Sequence, residues 1–261
     1  MPCRNGGDRF HGWGIAFLDV SERKKFELEL ERSNRELQDF AFVASHDLQE
    51  PLRKIRTFSN LVMKEAENVL DETSSDYLKR VQRATLRLQE LLRALLKYSR
   101  VSTQPKPFSK CNLRQAVEEV VGELDLTILR SRGKVEIGDL PVVQADTAQI
   151  RQLFQNLLIN ALKFRKDGVP PLVKVYALPA GKDTCRIAVE DNGIGFDDEF
   201  ATKIFIPFQR VHGRSSKYEG PGMGLAICRK IVERHGGSII AQSEPGKGAT
   251  FIISLPCKQT L

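Results

Sequence analysis

Leu30, Ser33, Leu37, Phe40, Ala44 and Asp47, preceded by Phe26, recur at alternating steps of three and four. That spacing is the seam of a long amphipathic helix, and it constrains the fold more than any other feature. The helix is expected from Ser21, an N-cap residue type, to Glu65. At roughly 45 residues it is too long for an ordinary core helix and needs a partner. The polar stretch Asn68 to Ser75 reads as a turn. A second helix is expected over Asp76 to Arg100, with Val81, Leu88, Leu92 and Leu95 at near-heptad spacing and Ala84, Leu91 and Tyr98 beside the stripe. Two such helices form an antiparallel hairpin with one apolar face uncovered. Dimerisation into a four-helix bundle covers that face economically; the alternative is a monomeric hairpin packed on the following domain.

His46 falls off the seam, in the run Phe40 to Leu52 (FAFVASHDLQEPL). An imidazole facing solvent is largely neutral near pH 7, with one nitrogen able to attack and the other able to give up a proton. Asp47 is the nearest proton acceptor. Pro51 removes the amide that would bond to the Asp47 carbonyl and is expected to kink the helix one turn after the histidine. Taken alone, His46 reads as a polar surface residue, and the rest of the chain has to overturn that reading.

The net charge is +7 and the pI near 9.2. The residues from Ser21 to Glu36 mix five acids with five bases, and the basic excess lies between Pro51 and Arg100, with eleven Lys or Arg against six Asp or Glu. That pattern suits a solvated helical face, or a docking face for an acidic protein, better than a nucleic-acid groove reader. Cys3, Cys111, Cys185, Cys228 and Cys257 are scattered, without a CxxC pair, which points to a reducing compartment and away from a metal site or disulfide framework. No apolar run approaches the ~18 residues of a membrane span, so the expectation is a soluble, cytoplasmic chain. Residues 1–20 hold a Gly-rich turn, Asn5 to Asp8, and an apolar strand-like run, Trp13 to Val20, too little to bury itself. They read as the remnant of an upstream domain, and Asp19 to Arg23 resembles the junction between a PAS sensor domain and its output helix.

The helical domain is expected over residues 21–101 and a Pro-containing linker over 102–110. From there to 257 the pattern becomes α/β. Asn112 and Asp146 each precede a Gln by three residues, in capping-box spacing, opening helices Leu113 to Arg130 and Thr147 to Lys166. Strands are expected at Lys134 to Ile137, Val142 to Gln144, Leu172 to Leu178 and Cys185 to Val189, the last two as a hairpin. A helix from Gly224 to His235 ends at Gly236-Gly237, and strands Ser238 to Ser243 and Thr250 to Leu255 flank the Pro245-Gly246 turn. The fold class is α+β, with helices on one face of a mixed sheet.

Three patches in this second domain each suit one part of a nucleotide. Asn156, Asn160 and Lys163 share one helical face, offering two neutral amides and a cation. Neutral amides suit a hydrated Mg²⁺ already held by phosphates. Asp191-Asn-Gly193-Ile-Gly195 closes a strand, where glycines admit a planar ligand and a carboxylate can accept from an exocyclic amine. Gly220-Pro-Gly222-Met-Gly224 leads into a helix whose N-terminus suits phosphates. Each patch alone is also an ordinary helix face or turn.

Together, Asn160, Asp191 to Gly195, Phe205-Ile-Pro-Phe208, Gly220 to Gly224 and the closing Gly246-Lys-Gly248-Ala-Thr250-Phe resemble the N, G1, F and G2 boxes of the ATP-binding domain of sensor histidine kinases. His46-Asp47 through Pro51-Leu52 resembles their H box. The wording is particularly similar to kinases found beneath PAS domains or bacterial phytochromes. The resemblance implies a dimeric phosphotransfer hairpin followed by a Bergerat (GHKL) α/β sandwich. It makes Asn160 the Mg²⁺ ligand, sets Asn156 and Lys163 near metal and phosphates, and gives Asp191 the adenine amine. Gly193, Gly195 and Thr250 join the nucleotide site, Arg210 meets the γ-phosphate, and Gly220, Gly222 and Gly224 let a lid fold over it, anchored by Phe205 and Phe208. The implied reaction is attack of His46 on the γ-phosphorus of Mg-ATP, with Asp47 as proton acceptor, then transfer to an aspartate of a response regulator receiver domain.

Two positions depart from the family pattern. Glu50 stands where Thr or Asn is usual in members that also dephosphorylate their regulator, and Pro221 stands where a lid Thr is usual. Two rival readings are a non-catalytic signalling scaffold, which the presence of both His46 and Asp191 disfavours, and a chaperone or mismatch-repair type ATPase. The latter needs a carboxylate on the nucleotide helix, and Gln149 to Phe164 contains none. His212 and His235 read as lid surface and helix C-terminus.

Overall fold

A computed structural model describes residues 47–66, 69–181, 183–209 and 220–258. Expectations for residues 1–46, including His46, and for Arg210 and His212 lie outside the described residues.

The hairpin is built from α1, described over residues 47–65, and α2, Glu72–Thr103. The turn is shorter than its composition suggests, because Asp71 caps α2 by accepting from the Ser74 amide at 2.8 Å. Those Ser74 bonds also hold the Asp71 carboxyl below its usual pKa. Gln82 Nε2 donates to Asn60 Oδ1 at 2.7 Å and Arg56 to Gln89 Oε1 at 3.2 Å, which sets the antiparallel register. Ser59, Thr85 and Gln89 are buried, while Phe58 is 63% exposed and Leu88 48%. A single hairpin therefore leaves an apolar stripe uncovered.

The second domain is a five-stranded sheet in the order β2 (Lys134–Ile137), β4 (Leu172–Leu178), β5 (Thr184–Asp191), β7 (Gly248–Pro256), β6 (Ser238–Glu244). β2 and β4 are parallel and the remaining pairs antiparallel. Helices α3 (Leu113–Glu123), α5 (Thr147–Lys163) and α6 (Gly224–Arg234) supply the helical layer. Along α5, Ile150, Leu153, Phe154, Leu157, Leu158, Ala161 and Leu162 are buried at the i, i+3, i+4 spacing of one helix face. They belong to one core with Val173, Val175, Ile187, Val189 and Ile253 of the sheet.

Two features depart from the sequence expectation. The helix foreseen from Leu113 to Arg130 breaks at Leu124, whose ψ of 4° ends α3 and starts α4, Asp125–Ser131; Gly122 in the last turn of α3 is a poor helix former. Ser109–Asn112, whose first two residues are expected as linker and none as strand, is strand β1, paired antiparallel with β3 (Val142–Ala145).

The rest of the linker is clasped to the second domain. Asp146 Oδ1 caps α5 by accepting from the amides of Ala148 and Gln149, while Oδ2 accepts from the Lys106 amide at 2.9 Å and from Arg234 at 3.3 Å. The Gln149 side chain does not close a capping box. It donates to the Val101 carbonyl at 3.0 Å and accepts from Arg234 at 2.8 Å. The Asp146 amide instead donates to His235 Nε2 at 3.0 Å, so His235 is a fully buried strut and not merely a helix end. Burial holds the His235 pKa below its usual value, consistent with a neutral ring accepting at Nε2.

Candidate nucleotide-binding site

The ends of α5, β5 and β7 and the start of α6 surround a cavity of about 500 Å³. Ile194, Ala249 and Phe251 give it an apolar portion beside Asp191. Asp191 Oδ1 accepts from the Gly193 amide at 2.8 Å and the Ala249 amide at 3.2 Å, which leaves Oδ2 as the oxygen available to a donor in the cavity. Burial pushes the Asp191 carboxyl up to about 6, against the pull of these two amides. A carboxylate so desolvated accepts strongly from an N–H group that enters the cavity.

The backbone here is packed too tightly for side chains. A Cβ on Gly193 would lie 2.5 Å from the Phe164 carbonyl oxygen, and one on Gly195, whose φ is +64°, would lie 2.2 Å from that of Glu244. Gly195 lines the cavity; Gly193 does not, and acts through its amide on Asp191.

At the other end, Asn156, Asn160 and Lys163 all line the cavity from α5. The first residue of α6, Gly224, stands over the two amides: a Cβ there would be 3.9 Å from Asn156 Oδ1 and from Asn160 Nδ2. Asn156 Nδ2 is buried without a hydrogen-bond partner. Met223 caps α6 without a side-chain acceptor, so the first-turn amides are open to an anion. Gly220, Pro221 and Gly222 also line the cavity, with Lys163 Nζ 3.0 Å from where a Gly220 Cβ would sit. Phe205 is buried edge-on against Phe251 at 6.4 Å between centroids, while Phe208 is half exposed and ties its amide to the Gly222 carbonyl at 3.1 Å. One aromatic anchors by its ring and the other by its backbone.

Thr250 stands apart. Ala249 and Phe251 line the cavity on either side of it, so strand alternation turns the Thr250 side chain to the opposite face, beside its ladder partners Glu190 and Gln242. Asp47 is exposed at the start of the described part of α1. Sequence reasoning missed the Ala249 amide, the Gln209 lining and a wall from α2, made by Glu90, Arg93, Ala94 and Lys97. Their spacing on one helical face was visible, but its opposition to the cavity depends on packing between domains.

Residues 36–104 match the His Kinase A (phospho-acceptor) domain, and residues 145–259 match the histidine kinase-, DNA gyrase B- and HSP90-like ATPase. The phytochrome-like protein Cph1 of Synechocystis sp. is 40% identical over 242 residues, covering 93% of this chain and 32% of that protein. The chain belongs to the sensor histidine kinase family. The chain spans about a third of the length of the phytochrome-type relatives it matches. Among solved structures, the histidine kinase ThkA in complex with the response regulator TrrA superposes with a TM-score of 0.60 at 26% identity, covering 92% of this chain and 68% of that one. Full-length ShkA with AMPPNP superposes at 0.62 and 21% identity, covering 85% and 47%, and shares the fold. The ATPase-type match over residues 145–259 supports nucleotide binding.

Proposed function

We propose that this chain is the catalytic core of a sensor histidine kinase that phosphorylates His46 from ATP and passes the phosphoryl group to an aspartate of a response regulator. The observation that carries this reading is the shared cavity: a half-buried carboxylate at one end, amides and an open helix N-terminus at the other. Asp191 Oδ2 accepts from the adenine amine while Ile194 and Phe251 flank the ring. Asn156, Asn160, Lys163 and the α6 amides receive the phosphates, with Arg210 and the glycine lid closing over the γ-phosphate.

Mg²⁺ fits this donor set. Among the described residues no cluster of three His, Cys, Asp or Glu could cage a metal, whereas the Asn156 and Asn160 amide oxygens suit a hydrated ion carried by phosphates, and the unpartnered buried Asn156 nitrogen suits a phosphate oxygen or an ion-bound water as acceptor. Asn160 is its ligand in this reading, and the ion supplies charge neutralisation on the phosphates. The His46 nitrogen attacks the γ-phosphorus in line, the bond from phosphorus to the β,γ-bridging oxygen breaks, and ADP leaves with the electron pair. Asp47 takes the proton from the other imidazole nitrogen. Phosphoryl transfer is mostly positioning and charge stabilisation, which this arrangement can supply.

The uncovered apolar stripe of the hairpin supports a homodimer. ThkA in complex with TrrA supports a receiver domain as partner, met here by the basic flank of the hairpin. Among the described residues no helix is long and apolar enough to cross a membrane, and the four described cysteines are free thiols, which supports assignment to the cytoplasm. The test is incubation with Mg²⁺ and γ-labelled ATP, comparing the chain with His46→Gln and Asp191→Asn. Acid-labile, alkali-stable label absent from both variants is expected. No label on a chain that still binds ATP would favour a signalling scaffold.

A further inference from the structure

The nucleotide motifs leave one wall of the cavity unexplained. Glu90, Arg93 and Lys97 follow one another at steps of three and four along a face of α2, and they line the same cavity as Asn160, Lys163 and the lid. α2 belongs to the hairpin, yet buried contacts fix its place against the second domain. Ala94 is 8% exposed, Lys230 Nζ of α6 sits 4.2 Å from the centroid of the Tyr98 ring, and Gln149 holds the Val101 carbonyl. Past the end of α2, Arg234 Nη2 donates to the Lys106 carbonyl at 3.0 Å and its guanidinium lies 4.8 Å from the Phe108 ring centroid.

Some exposed basic side chains sit beside carboxylates, as Lys54 does with Glu50, Arg80 with Asp76 and Arg229 with Glu233. Arg93 and Lys97 are exposed and have no hydrogen-bond or ion-pair partner among the described residues. On the second-domain side, Lys163 is the one cation among the described residues lining the cavity. Even with Mg²⁺ bound, a triphosphate keeps about two negative charges, more than one lysine offsets.

We propose that Arg93 and Lys97 of α2 complete the phosphate end of the nucleotide site, so that the terminal phosphate of bound ATP is gripped by both domains at once. This rests on reading the cavity as an ATP site. ATP then fastens the second domain to α2, and ADP, lacking the terminal phosphate, does not. Glu90, lining the same wall, opposes an anion there and makes the grip depend on the two cations.

The test is calorimetric titration of Mg-ATP and of Mg-ADP into the full chain at low ionic strength, repeated with Arg93→Gln/Lys97→Gln and with Arg93→Lys/Lys97→Arg. The neutralised pair is expected to lose about tenfold in ATP affinity and less than about twofold for ADP, while the charge-conserving pair keeps most of the ATP affinity. Unchanged melting temperatures without nucleotide would show that the variants fold. An unaltered ATP affinity in the neutralised pair overturns the proposal, and equal losses for ATP and ADP overturn its assignment to the terminal phosphate. If the unsubstituted chain binds neither nucleotide, the ATP-site reading falls and this one with it. A failure confined to the variants leaves the ATP site standing.

Discussion

The two domains bury their apolar residues in opposite ways. In the α/β domain Leu113, Ile150, Leu153, Leu157, Val173 and Ile187 are all at 0% exposure, whereas along the hairpin Ile55, Phe58, Leu61, Val62 and Leu88 are 44–63% exposed. The first is a complete core that can hold a cavity rigidly, as preorganised binding of charge requires. The second is half of a core, with an apolar stripe left uncovered. The nucleotide-type cavity belongs to the finished core, and the unfinished element adds only the wall from α2.

This contrast can be broken from either side. Asp191→Asn should cost on the order of a hundredfold in ATP affinity, since it replaces a charged acceptor with an amide whose N–H groups face an amine. Circular dichroism of the variant should stay native. Phe58→Glu should reduce the dimer to monomer in sedimentation velocity while leaving ATP affinity unchanged; a persistent dimer would mean that another face covers the hairpin. Gly195→Ala should destabilise the α/β domain by about 2–3 kcal/mol in denaturant, because its φ of +64° and the Glu244 carbonyl 2.2 Å from the new Cβ resist a side chain. The hairpin dimer should survive it.

The smallest effect concerns pH. Folding raises the Asp191 pKa from 3.8 to about 6. The folded chain therefore holds this proton more tightly than the unfolded chain. This group's contribution to stability is full below pH 3.8 and is lost as pH rises through about 6. Binding runs the other way, because only the ionised carboxylate accepts with full strength. ATP affinity should fall as pH drops through about 6, and Asp191→Asn should flatten that part of the profile.

Much of the α/β domain was legible because its determinants are local. Strands Lys134–Ile137 and Leu172–Leu178 have the bounds that alternation and flanking turns imply, and Asn112 and Asp146 cap their helices as their positions suggest. β1 was not legible, because Ser109–Asn112 is polar and becomes a strand only by pairing with β3. Nor was the role of His235, whose burial depends on Asp146 and Phe108 arriving from 89 residues away and from the linker. In the site, Asp191, Asn160 and the lid glycines were readable as motifs. The orientation of Thr250 was not, since one step along β7 decides which face a side chain meets.

The central claim is that ATP held in this cavity phosphorylates the imidazole of His46. The most direct measurement is tandem mass spectrometry, kept at neutral to alkaline pH, of the chain after incubation with Mg-ATP. A single phosphoryl group on the His46 peptide of the unsubstituted chain, absent in Asp191→Asn, is the expected result. Phosphate on a serine or threonine, or none on a chain that binds ATP, would contradict it.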